Sequence, residues 1–296
     1  LPNTVPLGQN PPSGVVVFYY LKAKPKSEIT IEFLDSAGKS IKKFSNKRKE
    51  QGPESAPDEE EDFAARPAQV TEKTGMNKFN WDARYPDAVR FPGLIMWAGQ
   101  TRGPRAVPGT YQVRLTVDGT TLSQSFEIKA DPRIDTTPDD FAKQFDLSIK
   151  IRDRVSDMNR AVIEIRGASK QIDEIIKRIG GEAANKPVVD AAKSLEASLK
   201  SVEEALYQTK NRASEDPLNF PIRLNNKMAA LGGVAGMADA APTAQDYQVY
   251  SELDAAVTEQ LAKLGTILTD DLPAFNKLVR DKEIPAVTVR RGPAAQ

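Results

Sequence analysis

The sequence predicts an α+β multidomain chain: an N-terminal Ig- or fibronectin-like antiparallel β-sandwich, then an antiparallel three- to four-helix bundle with long helices. Three observations carry the prediction. Before Asp131, apolar residues recur at every second position. After Thr137 they recur every three or four, the repeat of a packed helix. At 296 residues the chain can bury two cores of useful size. The expected boundaries are a linker over 1–14, the sandwich over 15–133 with a long charged loop at 45–75, the bundle over 134–284 and a tail over 285–296.

The strongest strand is Gly109 to Val117, where Tyr111, Val113, Leu115 and Val117 alternate with Thr110, Gln112, Arg114 and Thr116. Asp118-Gly119 offers the positive-φ pair of a tight hairpin, and Leu122, Phe126 and Ile128 resume on the return. Upstream, Phe79-Asn80-Trp81-Asp82-Ala83-Arg84 places one large aromatic, Trp81, where a small core needs it. Val15 to Leu21 is continuously apolar and aromatic, which predicts a strand buried on both sides or at a domain junction. Ile29, Ile31 and Phe33 mark another strand, and Asp35-Ser36-Ala37-Gly38 turns the chain into Lys39–Phe44. Ser45 to Gly75 has almost no apolar residue and reads as a surface loop. Tyr85 to Pro108 is irregular yet holds Phe91, Leu94, Ile95, Met96 and Trp97, so it is expected to pack down on something.

Thr137-Pro138-Asp139-Asp140 combines an N-cap, a proline at the first helical position and a carboxylate three residues after the cap. Ile151, Val155, Met158, Val162, Ile165, Ser169, Ile172, Ile176 and Ile179 then form one seam, stopped by Gly180-Gly181. Such a helix is on the order of 60 Å long at 1.5 Å per residue. A second seam runs from Val188 to Leu206 behind Pro187, a short amphipathic piece comes next over Pro221 to Ala238, and Thr243 caps a last seam from Tyr250 to Leu268, which Pro273 bends or breaks.

Composition narrows function. The 41 basic residues equal the 41 acidic ones, so no global field draws the chain to nucleic acid. No apolar run approaches the roughly 20 residues of a membrane-spanning helix. There is no histidine and no cysteine. That removes the commonest general base, the usual zinc ligands, thiol nucleophiles and disulfides. No catalytic residue, cofactor site or metal site is expected.

Three aromatic residues, Trp97, Tyr85 and Trp81, are the candidate ligand or partner contacts. They either stack sugars or, for the two tryptophans, fill the core and pin the loop. Asp58 to Asp62 is consecutive acid, a solvated run rather than the spaced, glycine-containing loop that calcium uses. Asp82 and Arg84 are two apart, as in a surface ion pair on one strand face. Carboxylate pairs such as Glu203-Glu204 and Asp270-Asp271 suit the outside of a bundle, and a di-metal centre there would want histidine.

One stretch, Met76-Asn77-Lys78-Phe79-Asn80-Trp81-Asp82-Ala83-Arg84-Tyr85-Pro86-Asp87-Ala88, is similar to a segment of large exported bacterial proteins in which a sortilin-like β-propeller of Asp-box (BNR) repeats precedes a C-terminal region. Pro108 to Gly119, Asp131-Pro132-Arg133 and Pro221-Ile222-Arg223-Leu224-Asn225-Asn226-Lys227-Met228 resemble further parts of that region, and the hairpin also resembles the Ig-like domain of flagellar-hook capping proteins. The resemblance spans about Asn10 to Val279, and its motifs are structural. It implies an exported, non-catalytic accessory region that docks or supports a β-propeller or another envelope subunit. The alternative is a carbohydrate-binding module that takes a polysaccharide. The Asp-box pattern Ser-x-Asp-x-Gly-x-x-Trp is absent from these residues, so the glycosyl hydrolase label attached to such proteins does not carry over. Leu1 to Gly14 reads like an inter-domain linker, which implies a piece processed from something longer.

Overall fold

A computed structural model describes residues 13–47, 69–180 and 183–284. It is a mixed structure of two antiparallel sheets followed by helices. β1 (Val15–Leu21) and β4 (Gly75–Trp81) form a two-stranded sheet. β2 (Thr30–Leu34), β3 (Ser40–Ser45), β5 (Gly109–Val117) and β6 (Thr120–Ile128) form a four-stranded one in the order β3-β2-β5-β6.

Alternation dictates which side chains meet. Ile29, Ile31 and Phe33 point inward and are wholly buried. Trp81, on the other sheet, stacks on Phe33 with ring centroids 4.3 Å apart and meets Tyr111 and Phe126 edge-on at 6.5 Å. Its indole N–H donates to the Arg84 carbonyl at 3.0 Å, so the one polar atom of the ring is satisfied. Both sheets therefore share one apolar core centred on the Phe33–Trp81 stack.

β1 departs from its expected double burial. Tyr19 and Leu21 enter the core, but Phe18 and Tyr20 are each 64% exposed. Their strand lies in a sheet of only two strands, and their cross-strand neighbours Lys78 and Met76 are on the same outer face. The hairpin tip forms as its residues dictate: Asp118 and Gly119 both take positive φ, 46° and 80°.

α1 (Pro138–Ile179) is one helix of 42 residues. Thr137 and Asp140 cap each other's backbone reciprocally, and the helix ends at Gly180. α2 (Lys186–Leu206) returns along it, with Asn185 on the Ile179 carbonyl at one end and Glu203 on Arg166 at the other. α3 (Leu224–Ala235) also runs against α1, from Asn225 beside Asn159 to Ala235 beside Gln144. α4 (Ala244–Thr266), capped by Thr243, reaches α1 through Asp254 and Thr258, which take the Arg154 guanidinium. Pro273 does not break the helical course of the chain. A π-helical turn, Ile267–Asp271, joins α4 to α5 (Leu272–Asp281), a wide turn that accommodates the proline while the chain stays helical. The seams of α1, α2 and α4 fill a second core.

The Trp81→Ala substitution is expected to cost about 3–5 kcal/mol. Urea denaturation monitored by near-ultraviolet circular dichroism measures it, with loss of the aromatic signal at lower urea.

Candidate functional site

The chain leaves β4 by a sharp turn. The Asp82 carboxylate accepts the Arg84 N–H at 3.1 Å, and Ala83 between them has φ 56°. Asp82 and Arg84 thus do not lie along one strand face. The Arg84 guanidinium turns instead to the Gly103 carbonyl at 2.8 Å. The expected ion pair is replaced by two backbone contacts, because the left-handed residue rotates Arg84 away.

The segment from Tyr85 to Pro108 folds on itself as a doubled loop. Tyr85 N–H donates to Pro104 O at 2.9 Å, Ala88 N–H to Thr101 O at 2.7 Å, and Ala106 N–H to Ala83 O at 2.6 Å. Gly103 is required: a Cβ there would sit 2.1 Å from the Tyr85 carbonyl oxygen.

The tip of the loop lies on the helices. Ala88, Phe91 and Leu94 belong to the helical core, not to the core between the sheets. Its backbone is taken by polar side chains buried in three helical elements. Ser156 accepts the Val89 N–H at 3.2 Å, and Asn159 donates to Val89 O at 2.7 Å. Asn226 closes on Trp97 from both sides, accepting its N–H at 2.8 Å and donating to its carbonyl at 2.7 Å. The Tyr207 hydroxyl donates to Gly93 O at 2.9 Å and accepts the Ile95 N–H at 3.2 Å. Asn225 backs Asn159 at 3.2 Å, so the set is a relay from α3 through α1 to the loop. Ser156, Asn159, Asn225 and Asn226 are all 4% exposed or less.

These residues were not among the sequence candidates. The signal that could have found them is polar residues inside apolar seams: Ser156 and Asn159 flank Met158, and Asn225-Asn226 precede Met228. A buried amide is tolerated only when it is hydrogen-bonded.

Outside this joint, between the loop, α1 and α2, is a polar cleft of about 640 Å³. Arg166 forms one wall. It pairs with Glu203 at 2.7 Å and lies over the rings of Phe91 and Tyr207, 4.7 Å and 5.5 Å from their centroids. Its charge is therefore engaged in holding the loop. Two turns farther along the same two helices, Glu196 of α2 faces Asp173 of α1. Burial, then the Asp173 charge and a hydrogen bond between the two carboxyls, push Glu196 above its ordinary value.

The three aromatic candidates do not converge. Trp81 is wholly buried between the sheets. Tyr85 meets Phe145 of α1 edge-on at 4.8 Å. Trp97 is 46% exposed and held through its backbone by Asn226. Asp58 to Asp62 lie outside the described residues. Glu203 is taken by Arg166, and Glu204 is 3.8 Å from Lys200. Among the described residues no group of three or more metal-ligating side chains is assembled, and no helix is long and apolar enough to cross a membrane. The chain matches no family model, no curated protein and no solved structure.

Two measurements check this geometry. Asn226→Ala orphans the Trp97 N–H and carbonyl, and is expected to cost about 2–4 kcal/mol with a red shift of tryptophan emission. A pH titration tests the carboxyl pair. A raised value in the folded chain means that the pair favours folding at low pH and that this contribution is lost as pH rises through the raised value. Glu196→Gln should therefore raise Tm by about 1–2 °C at about pH 7 and leave it unchanged at about pH 4.

Proposed function

We propose that this chain is a non-catalytic accessory region, an Ig- or fibronectin-like sandwich joined to an antiparallel helical bundle, that docks or supports another polypeptide of an exported assembly. The resemblance of Met76–Ala88 and of Pro221–Met228 to the C-terminal region of sortilin-like Asp-box proteins makes a β-propeller the favoured partner. The two resembling segments correspond to the two sides of the joint. The first enters the loop, and the second carries Asn225 and Asn226, which help to hold it. A connection held by buried hydrogen bonds suits a part that positions a neighbour.

The observation that carries the reading is the outer face of the two-stranded sheet. Phe18, Tyr20 and Met76 are 64%, 64% and 67% exposed, with Tyr20 and Met76 directly opposite each other. Aromatic residues and methionine clustered on an exposed face are the composition of protein interfaces. The carboxylates nearest a cleft, by contrast, are paired with Arg166 or with each other, which supports a structural role for them.

Co-purification tests it. The chain tagged at its C-terminus should retain a separately expressed Asp-box propeller polypeptide. The Phe18→Ser/Tyr20→Ser double variant should weaken that binding by about tenfold or more while keeping its circular dichroism. Retention that survives the double variant counts against this face, and absence of any binding counts against the propeller.

A further inference from the structure

The four-stranded sheet has two edges, and they differ. β3 carries Lys42 and Lys43, and its ladder with β2 slips between Phe33 and Leu34. Lysines and irregular pairing are the usual protection of an edge. β6 has neither. Its nine residues, Thr-Thr-Leu-Ser-Gln-Ser-Phe-Glu-Ile, pair with β5 in unbroken register and include no proline, no lysine and one charge, Glu127.

The two-residue turn decides which backbone groups point out. Val117 and Thr120 close it as a hydrogen-bonded pair. Thr120, Leu122, Gln124, Phe126 and Ile128 consequently turn their N–H and C=O toward β5. Thr121, Ser123, Ser125 and Glu127 turn theirs away from the sheet, where the Gln124 side-chain amide donates to the Ser125 carbonyl at 3.1 Å and would give way to a pairing strand.

We infer that β6 is a pairing edge for a second copy of this chain, antiparallel about a two-fold axis at Gln124, merging two four-stranded sheets into one. In this register Ser123 of one copy faces Ser125 of the other, and Thr121 faces Glu127. The outward backbone groups then meet as hydrogen-bonded pairs, each exchanging two bonds. Leu122 faces Phe126 at a non-hydrogen-bonded position, where side chains approach most closely. Leu122 is 66% exposed in the single chain, while Phe126 already touches Tyr111 and Trp81. The pairing thus covers an exposed leucine with the end of an existing core.

Charge fits as well. Glu127 meets a neutral threonine. Lys129, just past the strand, faces the uncharged Gly119 of the second copy. No like charges are opposed. Sliding the strands by two residues in either direction sets Phe126 against Thr120 or Gln124 and loses the apolar match. β3 offers no such solution, since self-pairing there brings lysines together.

The absence of cysteine makes the test clean. Sedimentation equilibrium of the full chain is expected to show a monomer–dimer equilibrium. Gln124→Cys places two thiols opposite each other on the axis, with Cα atoms about 4.5 Å apart, and should give a covalent dimer under mild oxidation. Leu122→Cys faces Phe126 and should give none. Gln124→Lys opposes two cations and should weaken the dimer about tenfold, partly restored by salt. Ser125→Pro removes an outward N–H that the single chain does not use and should weaken it too. A monomer at about 100 μM overturns the inference. So does a dimer insensitive to Gln124→Lys, or one that cross-links equally through positions 122 and 124.

Discussion

The structure depends on a small set of buried side-chain amides and hydroxyls that hold the backbone of one loop. A loop entering a helical core brings N–H and C=O groups that the helices cannot satisfy, because their own backbone bonds are internal. Ser156, Asn159, Tyr207 and Asn226 supply the missing partners. Each of these polar groups would be costly in an apolar core on its own, and the loop backbone would be costly without them. Together they make a joint with two-way dependence. Apolar packing of Phe91 and Leu94 adds area, while the hydrogen bonds set which residue sits where.

That joint ties together a chain with two separate cores. The sheets close around Phe33 and Trp81, and the helices around the α1 seam. Between them the polypeptide could have been a plain linker. Instead the residues just after Trp81 turn through Asp82 and Ala83, double back through Gly103 and carry their tip onto three helical elements. Arg166 covers the outside of the same contact, bridging Glu203 to the Phe91 and Tyr207 rings. The cleft beside it is bounded by the outside of this joint, with Arg166 engaged by Glu203 on one side.

Two exposed surfaces lie on the sheets. The outer face of β1 and β4 is aromatic and exposed, and the outer edge of β6 turns backbone groups away from the sheet without protective lysines. One is a face and the other an edge, on different sheets, so the two contacts proposed for them do not compete for the same atoms. The wholly buried Trp81 cannot contribute to either.

Local rules explain much of what was readable. Reciprocal capping by Thr137 with Asp140, and by Thr243 with Asp246, was legible because caps act over three residues. The Asp118-Gly119 turn was legible because positive φ selects those residue types. The α1 seam was legible because a 3.5-residue repeat admits one arrangement. By itself, then, the chain determined these caps, this hairpin turn and this seam, all of which arise from neighbours in sequence. Tertiary structure alone decided that Phe18 and Tyr20 face outward, since an apolar run does not record how many strands its sheet will have. It alone decided that Ala83 turns Arg84 from Asp82 to Gly103, and that Asn226 meets Trp97 across 129 positions of chain. A hydrogen bond between a side chain and a distant backbone leaves no period in the sequence, and that is the physical reason the joint emerges only in three dimensions.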